Sequence, residues 1–508
     1  MKLHQSLELK SVNDLKQQRA LIPTADRSTR KDDIIAAIER HLLSADLGPL
    51  WERLSQLEVD AVAEAVHNWD GRFDATRFQA RYGDIPGHFK PPSYSWSDRR
   101  REKAPPSLLL LFFYNREIPE DLRPRLAPLA PRPAEIQVAI LADEDLPALY
   151  ECGPDGEGAE ALRRVTTEPL VRHDLPVVLR LIAQGRITVG AKTGLPSSAS
   201  AAKLEQVLLG GDWYSEADDP GMERWEGGSI RPIRPFAWPL LLQVGGLVKR
   251  DGTKLALMSR GKKALAQPIE SVVAHLFERW QRKGSPDELR RIDLIKGQGS
   301  KGVRLSAVAE RRAVIAQALR ECCEVGSWIA LDELFRQMQI RGHDFEVSHN
   351  PWSLYFSDPQ YGSLGYDDHG GFKILQARYI LVYLFEYLAT LGMIDIAYTG
   401  PVDARPDYDD AWGADEFVFL SRYDGLRYIR LNALGAYCLG LDTNYRPTPD
   451  EIPHLFTIGD NLDLTLLREP QPAETQVLEQ AGTVQWLNSL TAWMPCTPTS
   501  GASYGCFR

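Results

Sequence analysis

Residues 234–265 read Arg234-Pro-Phe-Ala-Trp-Pro-Leu-Leu-Leu-Gln-Val-Gly-Gly-Leu-Val-Lys-Arg-Asp-Gly-Thr-Lys-Leu-Ala-Leu-Met-Ser-Arg-Gly-Lys-Lys-Ala-Leu265. Phe236, Leu240, Leu241 and Val244 recur at helical spacing and line one face, and Gly245-Gly246 ends that helix. Residues 247–250 and 253–257 flank Asp251-Gly252, a pair that predicts a tight hairpin because glycine adopts positive φ without steric cost. The hairpin tip is basic. Ser259 is placed to cap a closing helix through Lys262, Lys263 and Leu265.

The same order returns further along the chain. Residues 388–398 end a helix and begin a strand, and residues 426–439 supply a return strand and a closing helix. Gly246-Leu247 matches Gly392-Met393, and Leu257 with Gly261 matches Leu431 with Gly435. Two matches in one internal order predict repeated modules. The second copy carries Asp403, Asp407, Asp409, Asp410, Asp415 and Glu416 between its strands. An acidic tip repels phosphate, so the two copies have different jobs. The ending "Gly-Leu-Val, basic hairpin, leucine, Gly-Lys" resembles the second half of a winged-helix domain of the kind found in bacterial transcription regulators.

Towards the N-terminus, Ser11 with Asp14 predicts one capped helix, and Thr29 begins another bearing Ile34, Ile35, Ile38 and Leu42. Leu15, Leu21 and Ile22 would meet the second. This arrangement resembles a SAP domain, a small helix-loop-helix DNA-binding module, and the resemblance implies that Lys16, Arg30 and Lys31 face phosphates. The alternative is a helical hairpin packed on its neighbour. From Leu47 to about Pro133 the pattern is helical, and residues 74–83 read as a capped helix ending in glycine. Residues 90–106 are Pro-rich and basic around Tyr94 and Trp96, either a strand-gripping segment or a solvated connector. Residues 167–210 predict helix, Gly185 stop, then a helix from Ser197-Ser198. Arg186, Lys192 and Lys203 surround that turn, which suits a phosphate or simply completes a three-helix core.

Residues 311–387 hold long helices around an aromatic segment with Trp352, Tyr355, Phe356, Tyr361 and Tyr366, either an interface or a satellite core. Residues 452–467 alternate like a strand pair, followed by a helix from Pro472. This resembles the start of the helicase-associated domain that accompanies XPB-type helicases.

The net charge of −10 over 508 residues argues against a general polyanion binder, so local charge must carry any nucleic-acid function. Six cysteines lack CxxC spacing, which fits a reducing cytoplasm without structural zinc. No apolar run is long enough to span a bilayer. Gly297-Gln-Gly299-Ser-Lys-Gly302 fits G-x-G-x-x-G but lacks a preceding buried strand, and reads as a flexible basic loop. No P-loop or nucleophile elbow occurs. His343, His349 and His369 lie near acids but match no metal-ligand spacing.

The expected fold is therefore mainly α with small β-wings, as tandem helix-turn-helix and winged-helix units. Expected boundaries are 1–45 (SAP-like), 46–135 and 136–215 (helix-turn-helix), 222–285 (winged helix, basic wing), 303–442 (second winged helix, acidic insertion), 450–490 (partial helicase-associated domain) and 495–508 (irregular tail). The expected function is cytoplasmic, non-enzymatic and free of cofactor or metal: binding of double-stranded DNA in bacterial repair, regulation or anti-phage defence. Nine basic residues between Arg224 and Lys263 face two acids, Glu226 and Asp251. Lys249, Arg250 and Lys254 would contact the backbone with Arg231, Arg234, Lys262 and Lys263 beside them, and Gln243 would reach base edges. The alternative is a scaffold recruiting a separate helicase or nuclease.

Overall fold

In the computed structural model, Ser11 Oγ accepts the Asp14 amide at 3.2 Å while the Asp14 carboxylate accepts the Ser11 amide at 3.3 Å. This reciprocal cap starts α2 (Val12–Leu21), after α1 (Leu3–Glu8) and before α3 (Lys31–Ser44). The structure describes residues 1–23, 28–44, 46–90, 106–152, 158–219, 229–356, 358, 360, 362–366, 371–408, 413–414, 417–447, 455–458, 464–467, 470, 485–488 and 491–493. The chain is mainly α-helical with small sheets. It divides into one unit of Met1–Val138 with Arg336–His343 and another of Ala139–Phe335 with Asp344–Arg508.

In the first unit, α4 (Gly48–Trp51), α5 (Gln56–His67), α6 (Ala75–Tyr82) and α7 (Arg123–Leu126) follow α3. Asp74 caps α6 by accepting the Arg77 amide at 3.0 Å, and Gly83 closes it at φ 83°. Leu15 and Ile22 meet Ile34, Ile35, Ile38 and Leu42, and that core continues through Val62, Phe73, Phe78, Phe112 and Leu122. The expected boundary at 45/46 is thereby corrected: helices this short bury too little apolar surface alone, so they share one core.

The second unit opens with β1 (Ile140–Leu141), β2 (Leu149–Cys152), β3 (Gly158–Ala161) and β4 (Arg163–Val165). One element order then occurs twice. The first pass is α8 (Glu168–Ala183), an extended segment at 187–189, α9 (Ser198–Val207), α10 (Arg234–Val244), β5 (Val248–Asp251), β6 (Lys254–Leu257) and α11 (Ser259–Ala264). After α12 (Ile269–Gln281), the second pass is α13 (Val308–Cys322), β7 (Trp328–Ala330), α14 (Leu331–Arg341, its residues from Arg336 counted with the first unit), α15 (residues 372–388, mostly π-helical), β8 (Ile394–Tyr398), β9 (Leu426–Leu431) and α16 (Ala433–Leu439). The strands of the second pass run in the order β7-β9-β8, extended by β1 and β4 at the two edges, with all pairs antiparallel. In the first pass residues 187–189 pair with β6, which pairs with β5, so the last strand again lies in the middle. The expected separation of 136–215 from 222–285 is corrected by this pairing, because the two stretches complete one small sheet.

The hairpin of the first pass has the predicted register, with Val248 opposite Leu257 and Asp251 opposite Lys254. The predicted strand pair near the C-terminus is β10 (Phe456–Ile458) with β11 (Leu464–Leu466), and a second hairpin joins β12 (Gln485–Asn488) to β13 (Thr491–Trp493). The helix expected from Pro472, the tail at 495–508, most of the segment at 90–106, and Arg224, His369, Asp409, Asp410, Asp415 and Glu416 lie outside the described residues.

The two passes agree in atomic detail. Gly246 and Gly392 have φ of 71° and 72°, the left-handed region in which glycine avoids a Cβ clash. A Cβ on Gly261 would lie 2.1 Å from the Leu247 carbonyl oxygen and 3.3 Å from Leu257 Cδ2. One on Gly435 would lie 1.9 Å from the Met393 carbonyl oxygen and 2.6 Å from Leu431 Cδ1. In each pass the closing helix therefore rests its glycine on the backbone just after the turn.

Residues 287–293, which lie between the two passes, are tied to the second by four ion pairs. Asp287 meets Arg311 at 2.9 Å, Glu288 meets Arg312 at 2.7 Å, Arg291 meets Glu386 at 2.8 Å, and Asp293 pairs with Arg422. Burial pushes the Glu288 carboxyl up, opposed by the Arg312 charge and the Tyr379 hydroxyl. The acidic insertion is partly neutralised as well: Arg378, fully buried, meets Asp407 at 2.6 Å and Asp424 at 3.1 Å. Asp403 is exposed, so the expectation of a free acidic tip is corrected for Asp407.

Gly435→Ala should lower the unfolding free energy by about 1–3 kcal/mol, because backbone must shift to admit one methyl group. Urea denaturation checks this, and a variant as stable as the parent would refute the close approach.

Candidate nucleic-acid interface

α8 ends at Gly185, with φ 66°, and residues 187–189 then run beside β6. The Leu255 amide donates to the Ile187 carbonyl at 3.1 Å and the Val189 amide to the Thr253 carbonyl at 2.8 Å. A tight loop follows, closed by the Gly190 amide on the Leu195 carbonyl at 2.9 Å. Ser197 Oγ caps α9 by accepting the Ser200 amide at 3.2 Å, as the sequence predicts.

This third strand brings together cations from the stretches 136–215 and 222–285. Arg250 Nη1 donates to the carbonyls of Ala191 at 2.8 Å and Lys192 at 2.9 Å, which ties the loop to the hairpin. Lys254 reaches over Gly185, where a Cβ would lie 4.0 Å from its Nζ. Arg186, Lys192, Lys249, Arg250 and Lys254 are all exposed, and among the described residues none meets a carboxylate. Lys203 on α9 and Lys262 and Lys263 on α11 are likewise exposed and unpaired within those residues.

Three expected contacts are corrected. Arg234 is buried and pairs with Asp174, its guanidinium lying 4.5 Å from the centre of the Trp213 ring. Arg231 is largely buried between Glu205 and Glu216. Gln243 donates its amide to the carbonyls of Gly194 and Pro239, each at 2.9 Å. For Arg234 and Gln243 the reason is that α10 is enclosed, packing against α9, α12, β5 and the later half of α15. Ala237, Trp238, Leu240, Leu241 and Leu242 are buried, whereas Phe236 and Val244, from the predicted inner face, are only half-buried. Asp212 takes over the capping of α10, accepting the Ile233 amide at 2.7 Å and the Arg234 amide at 2.9 Å.

In the other unit, Lys16 and Arg30 are exposed, while Lys31 is half-buried and donates to the Glu8 carbonyl at 2.7 Å. Lys31 is therefore occupied in tying α3 to α1, a helix that the sequence reading missed.

The glycine-rich loop at 297–302 is corrected from a flexible loop to a fastened turn. Gln298 Nε2 lies within hydrogen-bonding distance of the carbonyls of Leu289, Ile292 and Ile295 at 3.0, 3.2 and 2.8 Å, which fastens the loop to the preceding segment. Among the described residues no group of three or more side chains assembles as a metal site, and no helix is long and apolar enough to cross a membrane. Cys322 and Cys323 are buried and in no disulfide, and burial pushes Cys323 far above its ordinary range.

No family model, curated protein or solved structure matches this chain.

Arg234→Met should cost about 3–5 kcal/mol of stability, because Asp174 is left buried without its partner. Thermal denaturation tests it. Unchanged stability together with weakened DNA binding would return Arg234 to the interface.

Proposed function

We propose that residues 168–264 and 308–439 are tandem winged-helix modules of a non-enzymatic DNA-binding protein, and that the first wing grips the sugar-phosphate backbone of double-stranded DNA. The observation that carries this reading is the gathering of Arg186, Lys192, Lys249, Arg250 and Lys254 along one small sheet, exposed and unmatched by carboxylates among the described residues. The repeated element order and the matching contacts of Gly261 and Gly435 support the assignment of the modules.

In most winged-helix complexes with DNA the third helix would read the major groove; here α10 is enclosed, so binding is backbone-directed and tolerant of sequence. Each phosphate neutralised contributes about −0.9 to the slope of log K against log salt. Arg250 positions the loop bearing Lys192, whereas Lys249 and Lys254 meet phosphate directly. The enclosure of α10 also favours, as second reading, an interaction scaffold that recruits a separate helicase or nuclease. A pull-down from nuclease-treated extract separates the two.

Lys249→Glu with Lys254→Glu should weaken duplex binding at least tenfold at low salt and flatten the salt slope by about 2, the loss of two phosphate contacts. Anisotropy titrations of unrelated duplexes should give similar affinities for the parent. Unchanged binding by the double variant sinks the proposal.

A further inference from the structure

The hairpin β5–β6 receives its third strand, residues 187–189, on the β6 side. There the Leu255 amide donates to the Ile187 carbonyl at 3.1 Å, away from β5. Residues directly opposite in an antiparallel pair either bond to each other or both turn away, so Arg250, opposite Leu255, points its own amide and carbonyl outward from β5. Among the described residues no strand meets that edge, and Lys249, Arg250 and Asp251 are exposed.

The second pass holds a strand at the same edge. Ile396 follows Gly392 by four residues, as Arg250 follows Gly246, so β8 stands where β5 does. The outer edge of β8 is paired antiparallel with β4, Val165 lying opposite Ile396 and Arg164 opposite Ala397. β4 comes from chain ahead of both passes, so an extended segment from outside the module fills this edge.

We infer that the outer edge of β5 accepts an extended acidic segment of a partner protein, which joins the first sheet as β4 joins the second. Main-chain hydrogen bonds to an exposed edge supply affinity, and alternate side chains select the partner. Val248, Arg250 and Leu255 share one side of the hairpin, where Val248 and Leu255 are buried. Lys249 and Lys254 share the solvent side, with Asp251 at the tip. Side chains of an added strand therefore alternate between an apolar side and a cationic one, and carboxylates fit the latter. The inference goes beyond duplex binding at the wing and does not rest on it, because its test reads the main chain.

The test is anisotropy with the full chain and a labelled peptide of alternating glutamate and valine. With glutamates on the Lys249 side, the residue opposite Arg250 is a valine, and the valine amides face β5. N-methylation of the valine amides should abolish saturable binding, whereas N-methylation of the glutamate amides should leave it close to that of the unmodified peptide. On the protein, Arg250→Pro removes the outward amide and keeps the bonds to β6. It should bind about fivefold or more weakly than Arg250→Ala, the worth of one main-chain hydrogen bond. Three results overturn the inference: no binding of the unmodified peptide, equal binding of the two methylated forms, as charge attraction alone would give, or equal affinities of Arg250→Pro and Arg250→Ala. A concentration-dependent dimer in light scattering that Arg250→Pro dissociates also overturns it, since the edge then belongs to a second copy.

Discussion

Four oppositely charged partners fix residues 287–293 against the second of the two repeated passes, and the arrangement of that unit depends on them. Two of the arginines, Arg311 and Arg312, are adjacent on α13 and fully buried, so they meet Asp287 and Glu288 without intervening solvent. Ion pairs of this kind add little net stability over apolar contacts of the same shape, yet losing one partner is costly. Their effect is to make a single docking acceptable. A shifted connector would leave several charges buried and unmatched at once.

That docking determines what the rest of the unit can present to solvent. The later half of α15 lies against α10 and against its surroundings: Trp213 Nε1, ahead of α10, donates to the Phe385 carbonyl at 3.0 Å, and Trp280 of α12 contacts Tyr383 and Tyr387 at ring separations of 4.9 and 5.1 Å. The helix that a sequence-reading protein would insert into a groove is thus part of the interior. What remains outward is the small sheet with its cations, on a chain whose overall charge is negative. Repulsion between the body of the protein and a polyanion would favour contact through that sheet.

The local punctuation was legible in the sequence. Asp251-Gly252, the caps at Ser11, Asp74 and Ser197, and the stops at Gly83 and Gly185 act through neighbouring atoms, and each forms where the residues place it. Partnership at a distance was not legible: nothing near Arg234 announces Asp174, and the extended segment at 187–189 is too short to carry a strand period. One missed signal was present. Ala237, Trp238 and Leu242 make α10 apolar all the way round, the mark of an enclosed helix rather than of one with a solvent face. Reading only Phe236, Leu240, Leu241 and Val244 concealed it.

The outer edge of β5 has no neighbouring strand among the described residues, whereas the corresponding sheet of the second pass is flanked by β1 and β4. An uncovered edge is a template for unwanted pairing with another chain, and lysine or arginine there discourages it. Lys249 and Arg250 would thus protect solubility whatever anion they meet. Reversing their charge preserves that protection, but neutral replacements remove it and invite self-association through the hairpin.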